Sequence, residues 1–259
     1  MRVKIVLALV AAAALIACKP PAARTDAYLP ADRAPDTIVI LPPAPETGSA
    51  RALADRAIFK TTRALEGTPR WALATADNAD KIPDMERAFR CAAGVELNPQ
   101  SAPRLTALMR RVARDVGAAT TRPKDFYKHP RPYLVDEGDT CIAKTDALAK
   151  SPDYPSGHAT WGWTWGLILA ELNPGRQTQI LARARAYGES RVVCGVHTAS
   201  AVDAARTNAA ALVAALHADA AFEGDLNAVR TEAARLRGTG ASAPAACDAE
   251  TALIAKTPW

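Results

Sequence analysis

Residues 101–116 read SAPRLTALMRRVARDV, and this stretch decides the fold class. Its apolar side chains recur at the three- and four-residue spacings that place them on one face of a helix. The residues of this face are Leu105, Leu108, Met109, Val112 and Val116. Because Ser101-Ala102-Pro103 supplies a typical helix start, we predict a long amphipathic helix here.

The second half of the chain carries further helical patterns. Asn173 followed by Pro174 predicts the N-cap and first turn of another helix. The apolar residues of that helix are Ile180, Leu181, Ala184 and Tyr187. A third helix is predicted over 203–222, which is rich in alanine and leucine.

The end of the chain predicts one more helix. Gly224 is expected to end the preceding helix, and Asp225 to cap a last helix that runs to Arg237. Only residues 37–41 show strand-like alternation, and the sequence contains no internal repeat. We therefore predict a mostly α fold, a single-domain helical bundle over residues 51–259.

The first residues, MRVKIVLALVAAAALIAC, have the pattern of a signal peptide. Two basic residues precede an apolar run that is too short to span a bilayer comfortably. The run ends Leu15-Ile16-Ala17-Cys18, as in a bacterial lipobox. We predict a signal peptide at 1–17 and a lipidated Cys18; an ordinary secretory signal cut nearby is the alternative. Residues 18–50, rich in proline and alanine, are predicted to form a tether whose last part can lie against the domain.

An exported chain with an even number of remaining cysteines is typical of disulfide bonding. The four cysteines are Cys91, Cys141, Cys194 and Cys247. Three pairings are possible, and we favour Cys91–Cys141 with Cys194–Cys247. The first of these would tie the segment before Lys124 to the loop after Pro132.

The charge balance does not favour a nucleic-acid partner. The formal net charge of +5 becomes +3 once Arg2 and Lys4 leave with the signal peptide. A nucleic-acid-binding domain usually carries a larger basic excess.

Three short segments concentrate the residues that phosphate chemistry needs. They are KDFYKHPRP at 124–132, PSGH at 155–158 and SRVVCGVH at 190–197. A phosphate monoester requires cations and N–H donors for its oxygens, a nucleophile, and an acid for the leaving alkoxide. Together the segments hold three of the four histidines of the chain, two lysines and two arginines.

Individual residues of these segments fit defined tasks. Arg131 and Arg191 can fork onto phosphate oxygens, and Lys124 adds a point charge. The turn at Ser156-Gly157 is expected to open a helix near His158, whose free N–H groups would face an anion. One neutral histidine could attack phosphorus, and another, protonated, could donate to the leaving oxygen.

Each of these residues also has a structural interpretation. A histidine on an apolar helix is more often part of the core, Ser156 could be only a helix cap, and Arg191 could only pair with a carboxylate. Lys128 and His129 are interpreted as solvated loop residues, and His217 as structural. Of the tryptophans at 161, 163 and 165, most are expected in the core.

The joint pattern K-x6-RP, PSGH and SR-x5-H resembles the signature of the class A non-specific acid phosphatases, in the type 2 phosphatidic acid phosphatase superfamily, which is shared with vanadium haloperoxidases. The resemblance implies His197 as nucleophile and His158 as general acid. It assigns phosphate-binding roles to Lys124, Arg131, Ser156, Gly157 and Arg191, and implies no metal or other cofactor. It also implies a helical, exported enzyme that is often dimeric and hydrolyses phosphomonoesters to inorganic phosphate. With the lipobox, it predicts a periplasmic lipoprotein held at the membrane only by its lipid.

The sequence departs from this family pattern at one position. The family has an aspartate four residues after the nucleophile, where it binds and orients the imidazole, and here that position is Ala201. Asp203 lies about 240° around a helix from His197 and is a poor substitute; Ser200 or a water could partly hold the ring. By analogy with a serine-protease triad we expect a rate lowered by about 10² to 10⁴.

Two alternatives remain open. The protein could be a lipoprotein that binds phosphate or a phosphorylated ligand without turning it over, because Ala201 has removed the orienting group. It could also be a vanadium-dependent haloperoxidase, because vanadate mimics phosphate. If two histidines of ordinary pKa, about 6.5, act as base and acid, the enzyme should show a bell-shaped pH profile with its maximum on the acid side of neutral.

Overall fold

A computed structural model describes residues 26–238 and 247–259. The described residues form a bundle of α-helices without strands, as the helical periodicity predicts. The α-helices are α1 (Thr37–Ile40), α2 (Ala50–Arg63), α3 (Pro69–Ala76), α4 (Ile82–Ala93), α5 (Pro103–Tyr127), α6 (Asp146–Lys150), α7 (Gly157–Leu172), α8 (Gln177–Val193), α9 (Ala199–His217), α10 (Ala220–Gly238) and α11 (Cys247–Ile254). Short 3-10 turns cover Pro132–Leu134 and Pro174–Arg176. The predicted signal peptide and Cys18 lie outside the described residues.

Helix α5 is the long amphipathic helix predicted from residues 101–116. It starts at Pro103, and all five residues of the predicted apolar face are buried in the main core. The helix continues to Tyr127, so that Lys124 lies in its last turn. This helix therefore connects the core to the first of the three unusual segments.

Helix α7 is the central element, packed between α8 and α9. Two glycines one turn apart permit the close contact with α8. A Cβ atom on Gly162 would lie 2.3 Å from Cδ1 of Tyr187, and one on Gly166 would lie 2.4 Å from Cβ of Ala184. The backbones of α7 and α8 are therefore held close together, and α7 begins at PSGH while α8 ends at the SR-x5-H segment.

The three tryptophans of α7 divide between two faces, as expected for alternate residues on a helix. Trp161 and Trp165, one turn apart, are buried with their rings in edge-to-face contact at 5.6 Å. Trp163 faces away, and the Arg206 guanidinium lies 5.7 Å from its ring centre. Most of the tryptophan surface thus belongs to the core, as predicted.

The described part of the predicted tether packs on the bundle. Tyr28 is buried in the main core, and its backbone N–H donates to the Asp115 carboxylate at 3.0 Å. The strand-like stretch 37–41 contains α1 instead of a strand, because the Asp36 side chain accepts from the N–H of Ile38 and caps a helical turn. Residues 26–49 are therefore part of the folded unit, and the predicted boundary at 50 coincides only with the start of α2.

The predicted start of α8 is three residues early. Pro174–Arg176 form a 3-10 turn, and the α-helix begins at Gln177. The Asn173 amide does not cap this helix. It donates to the carbonyl of Ala93 at 2.9 Å and so ties the turn to the end of α4.

The predicted boundary between the last two long helices is also wrong. Helix α9 ends at His217 and α10 begins at Ala220, with Ala218 and Asp219 between them. The Asp219 carboxylate accepts from the N–H groups of Ala221 and Phe222, both at 3.0 Å. Gly224 lies inside α10. Asp225 caps no helix because its carboxylate binds Tyr28 and Arg111, both at 2.7 Å.

The four cysteines that follow Cys18 are all disulfide-bonded, but the favoured pairing is wrong. The bonds are Cys91–Cys247 and Cys141–Cys194. The first joins α4 to α11, and the second joins the loop before α6 to the residue after α8. The favoured pairing rested only on neighbouring segments in the sequence, whereas the helix packing decides which cysteines meet. No helix among the described residues is both long and apolar enough to cross a membrane.

Candidate active site

The three unusual segments meet at one cavity of about 570 Å³. Lys124 and Arg131 of the first segment, Gly157 and His158 of the second, and His197 of the third line this cavity. Ser156 and Arg191 are fully buried and are not part of the lining. The predicted site residues are thus brought together, with these two enclosed in the protein.

Arg131 is fixed by carbonyl groups and reaches the third segment. Its Nε donates to the carbonyls of Leu148 at 2.8 Å and Ser151 at 2.7 Å, and its Nη1 donates to that of Val196 at 2.7 Å. The same Nη1 lies 3.1 Å from Nε2 of His197. The guanidinium is therefore oriented before any ligand binds.

Two more cations are Lys124, which is half-buried, and Arg191, which is buried. Nζ of Lys124 contacts the carbonyl of Pro152, and burial together with the charge of Arg131 lowers the pKa of Lys124 to about 8. Arg191 donates from Nη1 to the Asn78 side-chain oxygen at 3.1 Å, while its buried Nε has no partner. Burial, opposed by Tyr187, lowers the pKa of Arg191 to about 10.

Within the described ranges, no carboxylate forms an ion pair with any of these three cations. The ion pairs of that part of the chain involve other residues. Like charges gathered in a low-dielectric site repel each other, and an anion in the cavity would relieve that repulsion. The arrangement is suited to a small multivalent anion.

Helix α7 presents its N-terminus to the same cavity. Ser156 is the N-cap, and its Oγ accepts from the N–H of Ala159 at 3.3 Å. Gly157, the first residue of the helix, lines the cavity, so the free N–H groups of the first turn and the positive end of the helix dipole face a space in which they would favour an anion. Ser156 therefore acts as a helix cap in the structure, one of the two roles weighed from the sequence.

His197 follows a sharp turn at the end of α8. Gly195 has φ +77°, a left-handed conformation that favours glycine, and the N–H groups of Val196 and His197 both donate to the Arg191 carbonyl. Arg63 binds the carbonyls of Val192 and Val193 at 3.0 and 2.7 Å, and so caps α8. The turn that carries His197 is thus fixed on both sides.

The two ring nitrogens of His197 have different partners. Nδ1 lies 2.7 Å from Oδ1 of Asp153, and Nε2 lies 3.1 Å from Nη1 of Arg131. An arginine only donates and an ionised carboxylate only accepts, so the neutral ring carries its proton on Nδ1 and keeps the Nε2 lone pair. Burial and the charge of Arg131 lower the pKa of His197 to about 3, against the opposing effect of Asp153.

His158 lies opposite, on the first turn of α7. Its Nε2 is 3.1 Å from the carbonyl of Asn78 and 3.3 Å from Oδ2 of Asp80. Because both partners are acceptors, Nε2 carries a proton, and Nδ1 is the position that a second proton would occupy. Burial, and then the charge of Arg191, hold the pKa of His158 well below its ordinary value.

The expectation that His197 lacks an orienting carboxylate is wrong. Position 201 is alanine, but Asp153, one residue before Tyr154-Pro155, makes the contact to Nδ1. Ser200 does not replace it, since its backbone N–H donates to Asp55 at 2.9 Å. Asp203 is exposed and pairs with Arg206, consistent with the expectation that it faces elsewhere.

The two remaining histidines differ from each other. His129 is not a solvated loop residue: it is half-buried, and its Nδ1 lies 3.3 Å from Oδ2 of Asp153. His217 lies at the far end of α9 between Glu171 and Glu223, outside the cavity lining.

Sequence reasoning missed three residues of the site. Asp153, Asn78 and Asp80 each contact one of the two histidines that line the cavity. Asp153 could have been suspected from its position three residues before Ser156, as a carboxylate next to a phosphate motif. Asn78 and Asp80 lie after α3, in a segment without a motif, and only the packing of α3 on α8 brings them to the site.

The class of protein follows from comparison with known families. A model of the PAP2 superfamily matches residues 109–223, which include all three segments. The helical fold and the cavity lined by both histidines are consistent with that class.

Individual relatives define the family more narrowly. An acid phosphatase of Zymomonas mobilis is 38% identical over 210 residues, which cover 81% of this chain and 79% of that protein. A non-specific acid phosphatase of Providencia stuartii is 38% identical over 212 residues, covering 81% and 86%, and one of Salmonella typhimurium is 32% identical over 194 residues, covering 74% and 78%. The chain therefore belongs to the non-specific acid phosphatase family of the PAP2 superfamily.

Proposed function

We propose that this protein hydrolyses phosphomonoesters by passing the phosphoryl group through Nε2 of His197. The observation that carries the proposal is the fixed tautomer of His197, whose Nε2 lone pair is directed to the cation side of the site while Nδ1 is bonded to Asp153. In the proposal the substrate oxygens take over the Nη1 donor of Arg131, which frees the Nε2 lone pair for attack. A neutral imidazole is a competent nucleophile, and a pKa of about 3 keeps it neutral in mildly acidic solution.

The proposed reaction has two steps. In the first, Nε2 of His197 bonds to phosphorus, the P–O ester bond breaks, and protonated His158 gives its proton to the leaving alkoxide. In the second, neutral His158 takes a proton from water, the water oxygen bonds to phosphorus, and the P–N bond breaks to release inorganic phosphate. Each turnover thus restores both histidines to their starting states.

The cation cluster supports both steps. Arg131 and Lys124, which line the cavity, and the N–H groups at the start of α7 would hold the equatorial oxygens, where charge is concentrated in the transition state, and the buried charge of Arg191 would add to their attraction. The cations are held by carbonyls and by Asn78 rather than by carboxylates, so no ion pair neutralises their charge. The alternative of a binding protein without turnover depended on a missing orienting carboxylate, and Asp153 removes that premise.

Trapping the intermediate tests the nucleophile. Purified protein is mixed with excess p-nitrophenyl phosphate and quenched in alkali, and phosphopeptides are mapped by mass spectrometry. We expect phosphate on His197, with turnover lost in His197→Ala and retained in the matched control His217→Ala, whose histidine lies outside the cavity lining. Steady turnover by His197→Ala would refute the assignment.

The dependence on the leaving group tests the acid. A p-nitrophenolate needs little protonation, whereas an alkoxide needs a full proton. His158→Ala should therefore lose about 10² to 10⁴ in rate against an alkyl phosphate and much less against p-nitrophenyl phosphate. Equal losses on both substrates would exclude His158 as the acid.

We also propose that the enzyme is exported and tethered by a lipid on Cys18, as its N-terminal sequence indicates. The support is the lipobox-like LIAC at 15–18 and the even set of disulfide-bonded cysteines. Labelling of bacteria with radioactive palmitate should mark the natural chain and not Cys18→Ala. Equal labelling of both would rule out this anchor.

A further inference from the structure

We propose that Asp153 is the positioning residue of His197, and that the loop before PSGH supplies the carboxylate that this family otherwise takes from the helix after the nucleophile. The inference deepens the proposed phosphatase function and rests on it. On this interpretation Ala201 does not mark the loss of the orienting carboxylate, because position 153 supplies that carboxylate instead.

The Asp153 carboxylate is completely buried and fully hydrogen-bonded. Oδ1 accepts from Nδ1 of His197 at 2.7 Å and from the N–H of Thr198 at 3.1 Å. Oδ2 accepts from Oγ1 of Thr198 at 2.6 Å and lies 3.3 Å from Nδ1 of His129. Four donors from three residues thus surround one carboxylate, which is the environment that a permanent buried anion requires.

Thr198 connects Asp153 to the start of helix α9 through hydrogen bonds. Its hydroxyl has one proton, which goes to Oδ2 of Asp153, and its lone pairs accept from the N–H of Ala201 at 3.2 Å. The same residue is the N-cap of α9 and the neighbour of His197 in the chain. The start of the helix, the carboxylate and the imidazole are therefore fixed as one unit.

Backbone hydrogen bonds hold the loop that carries Asp153. The N–H of Asp153 donates to the carbonyl of His129 at 2.8 Å, and the N–H of Ser156 donates to the carbonyl of Ala201 at 3.0 Å. The carbonyl of Pro152 accepts from Lys124. Asp153 can therefore hold the imidazole in one orientation, which is what distinguishes a positioning group from a mobile neighbouring charge.

The surroundings of Ala201 explain why the carboxylate can come from the loop. Its methyl group is fully buried in a cluster with Leu41, Tyr154 and Ala204. A second carboxylate at this place would be buried beside apolar groups and near the anion of Asp153, and both terms are unfavourable. An aspartate at 153 therefore favours an uncharged residue such as alanine at 201.

The charge state of Asp153 agrees with this role. Burial alone would raise its pKa, but hydrogen bonds from His129 and His197, the charge of a protonated His197 and the Thr198 hydroxyl hold the pKa well below the ordinary range. The carboxylate thus remains an acceptor throughout the working pH range. During the reaction it faces the imidazolium of phosphorylated His197 and stabilises that charge.

The test compares chemistry with phosphate binding in Asp153→Asn. The amide is isosteric but lacks the charge, so we expect kcat for p-nitrophenyl phosphate to fall by about 10² to 10⁴. The inhibition constant for inorganic phosphate should stay within about threefold of the natural value, because the cations remain in place. The matched control is Asp55→Asn, a second buried aspartate that accepts from the start of α9 without contacting His197, and its kcat should stay within about threefold.

The outcomes separate this inference from the proposed function. If the natural protein does not hydrolyse phosphomonoesters, the proposed function fails. If it does and Asp153→Asn keeps its kcat, or loses kcat and phosphate binding together, the positioning role is overturned. Ala201→Asp in the natural background should give no increase in kcat, and a large increase would likewise overturn the inference.

A second variant covers the case in which Asp153→Asn does not fold. Thr198→Val removes one donor to Oδ2 and leaves the bond from Nδ1 of His197 to Oδ1 intact. We expect kcat to fall about tenfold, equivalent to about 1.4 kcal/mol, with phosphate inhibition unchanged. A kcat equal to that of the natural protein would count against the unit of Asp153, Thr198 and His197.

Discussion

At the scale of residues, the surroundings of the two cavity histidines lower the pKa of both. Burial is the largest cause for each; the second is the charge of Arg131 for His197 and that of Arg191 for His158. A bound phosphate supplies the opposite charge and favours protonation of His158. The substrate therefore helps to charge its own general acid.

This electrostatic arrangement predicts an acid-shifted pH profile. In the free enzyme the acid His158 must be protonated, and because its pKa lies below 6.5, kcat/KM should fall steadily as pH rises from about 5 to 8. His197, the proposed nucleophile, has a pKa of about 3 and should remain neutral down to that value. The descending limb of kcat should lie at higher pH than that of kcat/KM, because the bound phosphate raises the pKa of His158.

Initial rates with p-nitrophenyl phosphate between pH 3.5 and 9 provide the measurement. A maximum of kcat/KM above pH 7, or descending limbs of kcat and kcat/KM at the same pH, would contradict the electrostatic argument. Two histidines of ordinary pKa would instead give a profile whose acid limb lies near pH 6.5. The position of the acid limb therefore distinguishes the two expectations.

The residue types of the site could be predicted from the sequence, but not their hydrogen-bond partners. Lys124, Arg131, Gly157, His158 and His197 belong to short motifs with a recognisable spacing. Asp153 was missed because the expected carboxylate was sought along one helix, whereas the structure takes it from a loop 44 residues earlier in the chain. Spacing along a helix restricts local neighbours only.

At the scale of elements, the contact of α7 with α8 positions His158 and Arg191 relative to each other. α7 carries His158 at its start, and α8 carries Arg191 near its end, so the distance between the helices sets the distance between these groups. Gly166 is the point of closest approach to Ala184, where a Cβ would lie 2.4 Å from the methyl carbon.

Gly166→Ala should therefore destabilise the protein and slow it. A methyl group cannot fit against the Ala184 methyl without separating the helices, and overpacking of this kind costs about 1 to 3 kcal/mol, partly offset by a gain in helix propensity of up to about 1 kcal/mol. We expect a lower Tm and a lower kcat in the same variant.

The measurement is the Tm of Gly166→Ala from thermal melts, with Gly224→Ala as the matched control. This second helical glycine has nothing within 4 Å of an added Cβ, so the same change should leave Tm unchanged or raise it slightly. If both variants melt alike, the close approach of α7 and α8 is not a constraint.

Helix existence was predictable at this scale, and helix ends were less so. The apolar face of α5 has a strong period, and the structure confirms it. The end of α9 was misplaced because Asp225, a good cap by sequence, is engaged by Tyr28 and Arg111 from distant parts of the chain. Asp219 caps α10 instead. Tertiary contacts of this kind leave no local signal.

At the scale of the whole molecule, the folded state collects positive charge at and next to the cavity. Lys124 and Arg131 line the cavity, Arg191 is buried outside its lining, and none of the three forms an ion pair with a carboxylate among the residues that the structure describes. Folding must therefore bring together charges that the unfolded chain keeps apart. A ligand that neutralises them should stabilise the native state.

Inorganic phosphate should accordingly raise the Tm. At a concentration of 100 times its Kd a ligand adds about 2.7 kcal/mol, which for a domain of this size corresponds to roughly 5 to 10 °C. Lys124→Met should lose most of this shift, whereas Lys60→Met, on an exposed face outside the cavity lining, should keep it. The Tm is measured by calorimetry in phosphate and, as the salt control, in chloride of equal ionic strength. If phosphate raised the Tm of Lys124→Met and Lys60→Met equally, the result would argue against these cations as the binding site.

The carboxylate of Asp153 also bears on how relatives of this chain are classified. A search that demands an aspartate four residues after the nucleophile would discard this chain as a degenerate, inactive copy. A search in three dimensions, for any buried carboxylate within hydrogen-bonding distance of the Nδ1 atom, would retain it. Inactive members of such families are thus better recognised by the absence of this hydrogen-bond geometry than by the absence of one residue from the sequence motif.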